Sequence, residues 1–147
     1  AIENAVANAD LVIGSVLNPG KAAPTIMQKA YLKKMRPGSV IVDVAVDQGG
    51  CCETTKVTYH DDPTFVVDGV VHYCVGNMPG AVPRTSTIAL TNATLKYGLE
   101  IAQKGLETAC KENNVVYSAI NTYNGFSTCK NVSLSYNMEN TDVTTLF

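Results

Sequence analysis

Residues 39–50, SVIVDVAVDQGG, decide the fold. Pro37-Gly38 stops whatever precedes them, and Ser39–Val46 is then almost unbroken in β-branched residues. A strand of that kind is expected to be buried on both faces, as in the parallel sheet of an α/β protein. The glycine-rich loop Asp47-Gln48-Gly49-Gly50 ends it. Working back along the chain, Leu11–Leu17 reads as an earlier strand closed by Asn18-Pro19-Gly20. Between the two, Ile26, Met27, Ala30 and Leu32 predict a helix over about Thr25–Met35, with Lys33, Lys34 and Arg36 complementing its dipole. Strand, helix and strand make a right-handed βαβ unit. Before it, Ile2, Ala5, Val6 and Ala9 mark one face of a short helix over Ala1–Ala9. Working forward, a short run at Phe65–Val67 and an Asp68-Gly69 turn precede a third strand, Val70–Val75, which ends in Gly76-Asn77-Met78-Pro79-Gly80. Beyond Pro83 the pattern turns helical, first to about Ile101 with Thr85, Ser86 or Thr87 as cap, then over Leu106–Glu112. The tail after Asn113 is rich in Asn, Thr and Ser.

The chain has 147 residues, enough for one ordinary core and short for two. Eleven Lys and Arg against 13 Asp and Glu leave no basic excess for a nucleic-acid backbone. The longest apolar runs are too short to span a bilayer. No basic segment precedes an apolar one at the N-terminus, so no secretory signal is read and a cytoplasmic location is expected. The five cysteines are odd in number and include no Cys-x-x-Cys pair, which favours free buried thiols over a disulfide framework or zinc site.

Three strands running the same way bring their C-terminal ends together at residues 17–20, 47–50 and 76–80. In open α/β sheets ligands bind outside those ends. The expected crevice is lined by Val16, Leu17, Val46, Asp47, Asn77 and Met78, a mixture suited to a flat, partly apolar ring. Asp47 there is either a carboxylate that stabilises developing positive charge or a turn-forming Asp. Asn77 is either a partner for a planar group or a left-handed turn residue. His60, Asp61 and Asp62 fit no metal-ligand spacing and read as a solvated loop, and His72 reads as a structural histidine. A dinucleotide-binding domain normally opens with Gly-x-Gly-x-x-Gly and an acidic residue beyond it. Neither is present, so the sheet reads as the second half of such a domain.

The stretches DLVIGSVLNPG, MRPGSVIVDVAVDQGGCCET and HDDPTFVVDGVVHYCVGNMPGAVPRTSTIALTNATL resemble alanine dehydrogenase over nearly the whole chain, most tightly from Arg36 to Leu95. The resemblance implies a partial Rossmann-type parallel sheet flanked by helices, followed by a mainly helical C-terminal segment. Residues 1–83 would be the second half of the NAD-binding domain, and residues 84–147 the segment returning to the substrate domain. It implies NAD as cofactor, with Val16, Leu17, Val44, Ala45, Val46, Asp47, Val75, Gly76, Asn77 and Met78 in contact with it. Asp47 would also be catalytic. Gly76 replaces the commoner alanine, Cys52 the usual phenylalanine, and Lys56 stands where some relatives carry a cofactor-binding arginine. The metal-binding Glu and His of some relatives are reduced here to Glu100 and Lys104, so no metal is expected.

The resemblance further implies L-alanine and pyruvate as substrates and a homohexamer. The family's substrate-holding Arg and Lys, its acid/base His and its glycine loop belong to an N-terminal half that this sequence lacks. The chain is therefore expected to act only with that half, in the same or a separate chain, and its first strand to offer an unpaired edge. Two other readings are the NAD-binding subunit of a proton-translocating transhydrogenase and a non-catalytic truncated binding fragment. The former usually has Glu at position 47 and lacks the NMPGAVPRTST run.

Overall fold

The computed structural model describes residues Ala1–Phe147. The chain forms two compact units, one of residues 1–18 and 22–81, the other of residues 19–21 and 82–147. In the first, helix α1 (Ile2–Ala7) leads into strand β1 (Leu11–Gly14), helix α2 (Lys29–Leu32), strand β2 (Val40–Asp43) and the hairpin β3 (Thr64–Val67) and β4 (Val70–Tyr73). The sheet order is β1-β2-β4-β3. β1, β2 and β4 are parallel, with Leu11 opposite Val40 and Val40 opposite Val71. β3 is antiparallel to β4, so the sheet is mixed at one edge. The turn that reverses the chain there is Asp68-Gly69, with φ of 50° and 79°. Positive φ at both central residues matches the twist of a two-residue hairpin, and Asp-Gly supplies it at low cost.

The β-branched strand is buried on one face, not both. Along a strand alternate side chains face opposite ways. Ile41, Asp43, Val70 and His72 are buried, and Ile41 and Val70 join Val6, Met27, Leu32, Met35 and Cys52 in one core. On the other face Val40 and Val42 are half-buried, while Leu11, Ile13 and Val66 are 55%, 63% and 64% exposed. Within this unit, helices α1 and α2 supply cover for the first face only.

Helix α2 is far shorter than its periodicity predicts. The backbone of Ile26 and Met27 donates to the Cys51 carbonyl at 2.9 and 3.0 Å, and Met27 bridges to Cys52. The Glu53 carboxylate accepts from Lys29 N–H at 2.7 Å, at the start of the helix. That pairing with a segment distant in sequence holds Met27 in an extended course, and Gln28 is extended too, so the helix starts only at Lys29. Lys34 and Arg36 lie beyond α2 and pair with Glu3 (2.7 Å) and Asp10 (3.0 Å) instead of facing its dipole.

The second unit opens with helix α3 (Pro83–Lys104), followed by α4 (Leu106–Glu112), α5 (Asn114–Ala119), hairpin β5 (Thr122–Tyr123) and β6 (Phe126–Ser127), and α6 (Lys130–Ser135). None of Thr85, Ser86 or Thr87 caps α3. Val82 holds the cap position, and Pro83 follows where its missing N–H is no loss. No residue of α3 is buried, and Ile88, Leu90, Leu95 and Leu99 are at least half exposed. The core of this unit is Ala109, Cys110 and Val116, with Tyr97, Ile101, Leu106, Ile120 and Phe147 against it.

Candidate functional site

β2 ends in Asp43, which is fully buried. Its carboxylate accepts from Ala45 N–H (3.0 Å), Cys51 N–H (2.9 Å) and the Thr55 hydroxyl (2.5 Å). The Cys51 thiol lies 3.4 Å from its Oδ1. One side chain thus gathers both ends of the loop after the strand. Inside the loop, residues Val46–Gln48 form a single 3-10 turn and Gly49 and Gly50 follow at φ of 100° and 79°. A side chain at Gly50 would collide with Thr55. Asp43 carried no role in the sequence reading; the signal was an acid at a core-facing position of an apolar strand.

Tight packing continues beneath the loop. A β-carbon on Gly14 would fall on the Cys51 sulfur. Burial, with the charge of Asp43 adding, pushes the Cys51 thiol up to about 12 and that of Cys74 to about 11. These thiols stay protonated and unreactive at neutral pH.

Beside the loop a cleft of about 220 Å³ is lined by Ser15, Val16, Leu17, Val44, Ala45 and Gln48. The loops after β1 and β2 thus meet, bringing together Val16, Leu17, Val44 and Ala45. Asp47 is exposed in the same loop and accepts from Asn77 N–H at 3.4 Å. Gly76 lies under this contact: a β-carbon there would come 3.1 Å from Asp47 Oδ1 and 3.3 Å from Val57. An alanine would therefore push the Asp47 carboxylate aside by a few tenths of an ångström. Val46 and Val75 are buried at 3% and 1% exposure and do not line the cleft. Met78 is half-buried. Lys56 places its ammonium 4.4 Å from the centre of the Phe65 ring. A larger hollow of about 470 Å³ lies in the second unit, lined among others by Tyr117, Lys130 and Asp142, and includes none of the expected residues.

The cleft is too small for a whole dinucleotide. Its apolar walls are edged by Ser15 and Gln48, a lining of the kind that takes a flat, partly apolar ring.

Behind the site, His72 is fully buried and stacked on Phe65, ring centres 4.9 Å apart. Its Nδ1 lies 3.0 Å from the Val70 carbonyl, which can only accept. Nδ1 therefore carries the proton, and Nε2 accepts from the Thr54 hydroxyl at 2.8 Å. Burial lowers the His72 pKa from its ordinary value. The unfolded chain then takes up a proton first as pH falls. Stability is expected to be complete above the unfolded value of about 6.5 and to decline below it. Urea unfolding between pH 7.5 and 5 checks this, and His72→Gln should flatten that part of the profile.

A profile of the family "Alanine dehydrogenase/PNT, C-terminal domain" matches residues 1–130. An alanine dehydrogenase of Staphylococcus haemolyticus (strain JCSC1435) is 57% identical over 143 residues, covering 97% of this chain and 38% of its own. One from Halomonas elongata is 51% identical, with 99% and 39% covered. Among solved structures, an L-alanine dehydrogenase aligns with a TM-score of 0.77 and 48% identity over 92% of this chain and 37% of its own. A transhydrogenase from Sinorhizobium meliloti aligns with a TM-score of 0.54 and 31% identity over 59% of this chain and 25% of its own. The chain thus spans about two fifths of the length of the curated relatives it matches.

Proposed function

Because the chain belongs to the alanine dehydrogenase/PNT C-terminal domain family, we propose that it is the C-terminal portion of an NAD-dependent L-alanine dehydrogenase. The reaction converts L-alanine, water and NAD to pyruvate, ammonium, NADH and a proton, reversibly. In this reading residues 1–83 complete an NAD-binding domain and residues 84–147 return to a substrate domain. The observation that carries it is the meeting of Asp47 with Asn77 N–H beside the cleft at the ends of β1 and β2. The transhydrogenase reading is weaker, because that structure aligns with less of the chain at lower identity.

The bound nicotinamide would supply the hydride acceptor. Val16, Leu17, Val44 and Ala45 would hold its ring in an apolar cleft, and the main chain of Val46, Val75, Gly76 and Met78 would back it. The Asp47 carboxylate would stabilise the positive charge that grows at the substrate nitrogen as the Cα–H bond breaks, and Asn77 would orient the ring or the substrate. The substrate's protons must also be moved during the reaction. That task, and the gripping of the alanine carboxylate, would fall to an N-terminal half. The open apolar sheet face at Leu11, Ile13 and Val66 and the uncovered apolar residues of α3 favour such a partner. A hexameric assembly in the cytoplasm completes the proposal.

The test is alanine-dependent NADH formation by the chain alone and after mixing with the N-terminal portion of the Staphylococcus haemolyticus relative. Activity is expected only in the mixture. Turnover by the chain alone would show that its own residues supply the proton transfers. Silence in both would leave the fragment without a catalytic role.

A further inference from the structure

His60 reads from the sequence as part of a solvated loop, yet it stands at the candidate site. Its Nε2 lies 3.3 Å from the Asn77 carbonyl oxygen, 17 residues away. A carbonyl only accepts, so His60 donates. Asn77 has a φ of 56°, in the left-handed region, which asparagine enters more readily than most residues and in which its surroundings hold it. Three contacts do so. Its N–H donates to Asp47 Oδ2 at 3.4 Å, and its carbonyl accepts from Gly80 N–H at 2.8 Å as well as from His60. A β-carbon at Gly80 would sit 3.3 Å from Asn77 Nδ2 and 3.5 Å from His60 Nε2, so the two side chains converge over that glycine. His60 is itself exposed, and core packing does not account for its position.

We infer that His60 is a positioning residue: its Nε2–H holds the Asn77 carbonyl, and so fixes the main chain that presents Asn77 to a nicotinamide ligand. Asp47 and His60 grip the same residue from opposite ends, one by its N–H and the other by its C=O. Loss of His60 leaves the Asn77 carbonyl on the Gly80 bond alone and frees the residue to relax from its left-handed conformation. The ligand part of this inference rests on the proposed cofactor face; the grip on Asn77 does not.

The experiment uses the whole chain, with amide NMR and NADH fluorescence titration as separate readouts. His60→Ala is expected to shift the Asn77 and Gly80 amide signals and speed their hydrogen exchange. The Cys51 amide, held by Asp43, should not move and reports that the fold is intact. NADH affinity should fall about threefold to tenfold, the scale of one lost hydrogen bond. His60→Gln, whose side-chain amide N–H reaches a similar distance, should restore both. An unmoved Asn77 amide in His60→Ala, or NADH binding equal to the parent, overturns the inference. If Asn77 shifts but none of the proteins, parent included, binds NADH, the grip on Asn77 stands and the cofactor reading is what fails.

Discussion

Asp43→Ala is expected to lower the unfolding free energy of the first unit by about 3–5 kcal/mol, the scale for leaving several buried groups without their partner. Ala45 N–H and Cys51 N–H, both buried, lose their acceptor, and so does the half-buried Thr55 hydroxyl. A domain of this size has only about 5–15 kcal/mol in hand, so much of the population would be unfolded or loose in the loop. Asp43→Asn keeps one acceptor oxygen but turns an NH2 group toward a donor, and is expected to cost about 1–3 kcal/mol. Urea unfolding followed by circular dichroism measures both. A loss under about 1 kcal/mol for the alanine variant would mean that the glycines and backbone bonds hold the loop without the carboxylate.

Asp47→Asn is expected to do the reverse. Four residues on, this second carboxylate is exposed and its contact is the long one to Asn77 N–H, which asparagine can still accept. Stability should change by less than about 0.5 kcal/mol. In the enzyme assembled with an N-terminal half, however, kcat should fall about 100- to 1000-fold, as when one preorganised electrostatic group is withdrawn from a reacting centre. The Michaelis constant for NAD should move far less, because charge at position 47 is wanted in the transition state more than in the ground state. Steady-state NADH formation gives both values. Undiminished turnover would remove Asp47 from the chemistry.

The contrast between the two acids shows what was legible in the sequence and what was not. Parallel strands were readable because β-branched runs ending in Gly and Pro carry their meaning locally; of the crevice expected at their ends, Val16 and Leu17 line the observed cleft, and Val46, Asp47, Asn77 and Met78 do not. Asp43 lies inside such a run, and only the return of residues 51–55 gives it something to bind. The same return takes the helix from residues 25–28 by pairing Met27 with Cys52. No periodicity within that window reports on a partner so distant. The cover of the sheet failed for a different reason: composition tells that a strand is apolar on both sides, not whether this chain carries both layers. His60 reaches Asn77 across 17 residues, again beyond any local pattern. In the tail the signal is local. Asn124-Gly125, with φ of 49° and 84°, is the two-residue turn of the β5–β6 hairpin.

The bare α-carbon of Gly14 under the Cys51 sulfur has a consequence for how this family can vary. The two positions are 37 residues apart but share one volume. A side chain at 14 needs residue 51 to lose its γ atom or turn it away, and a bulkier residue at 51 in the same orientation needs 14 to stay bare. Change at 14 alone meets a collision unless the Cys51 side chain turns away, and a graft that carries one strand without its neighbouring loop is expected to bring that collision with it.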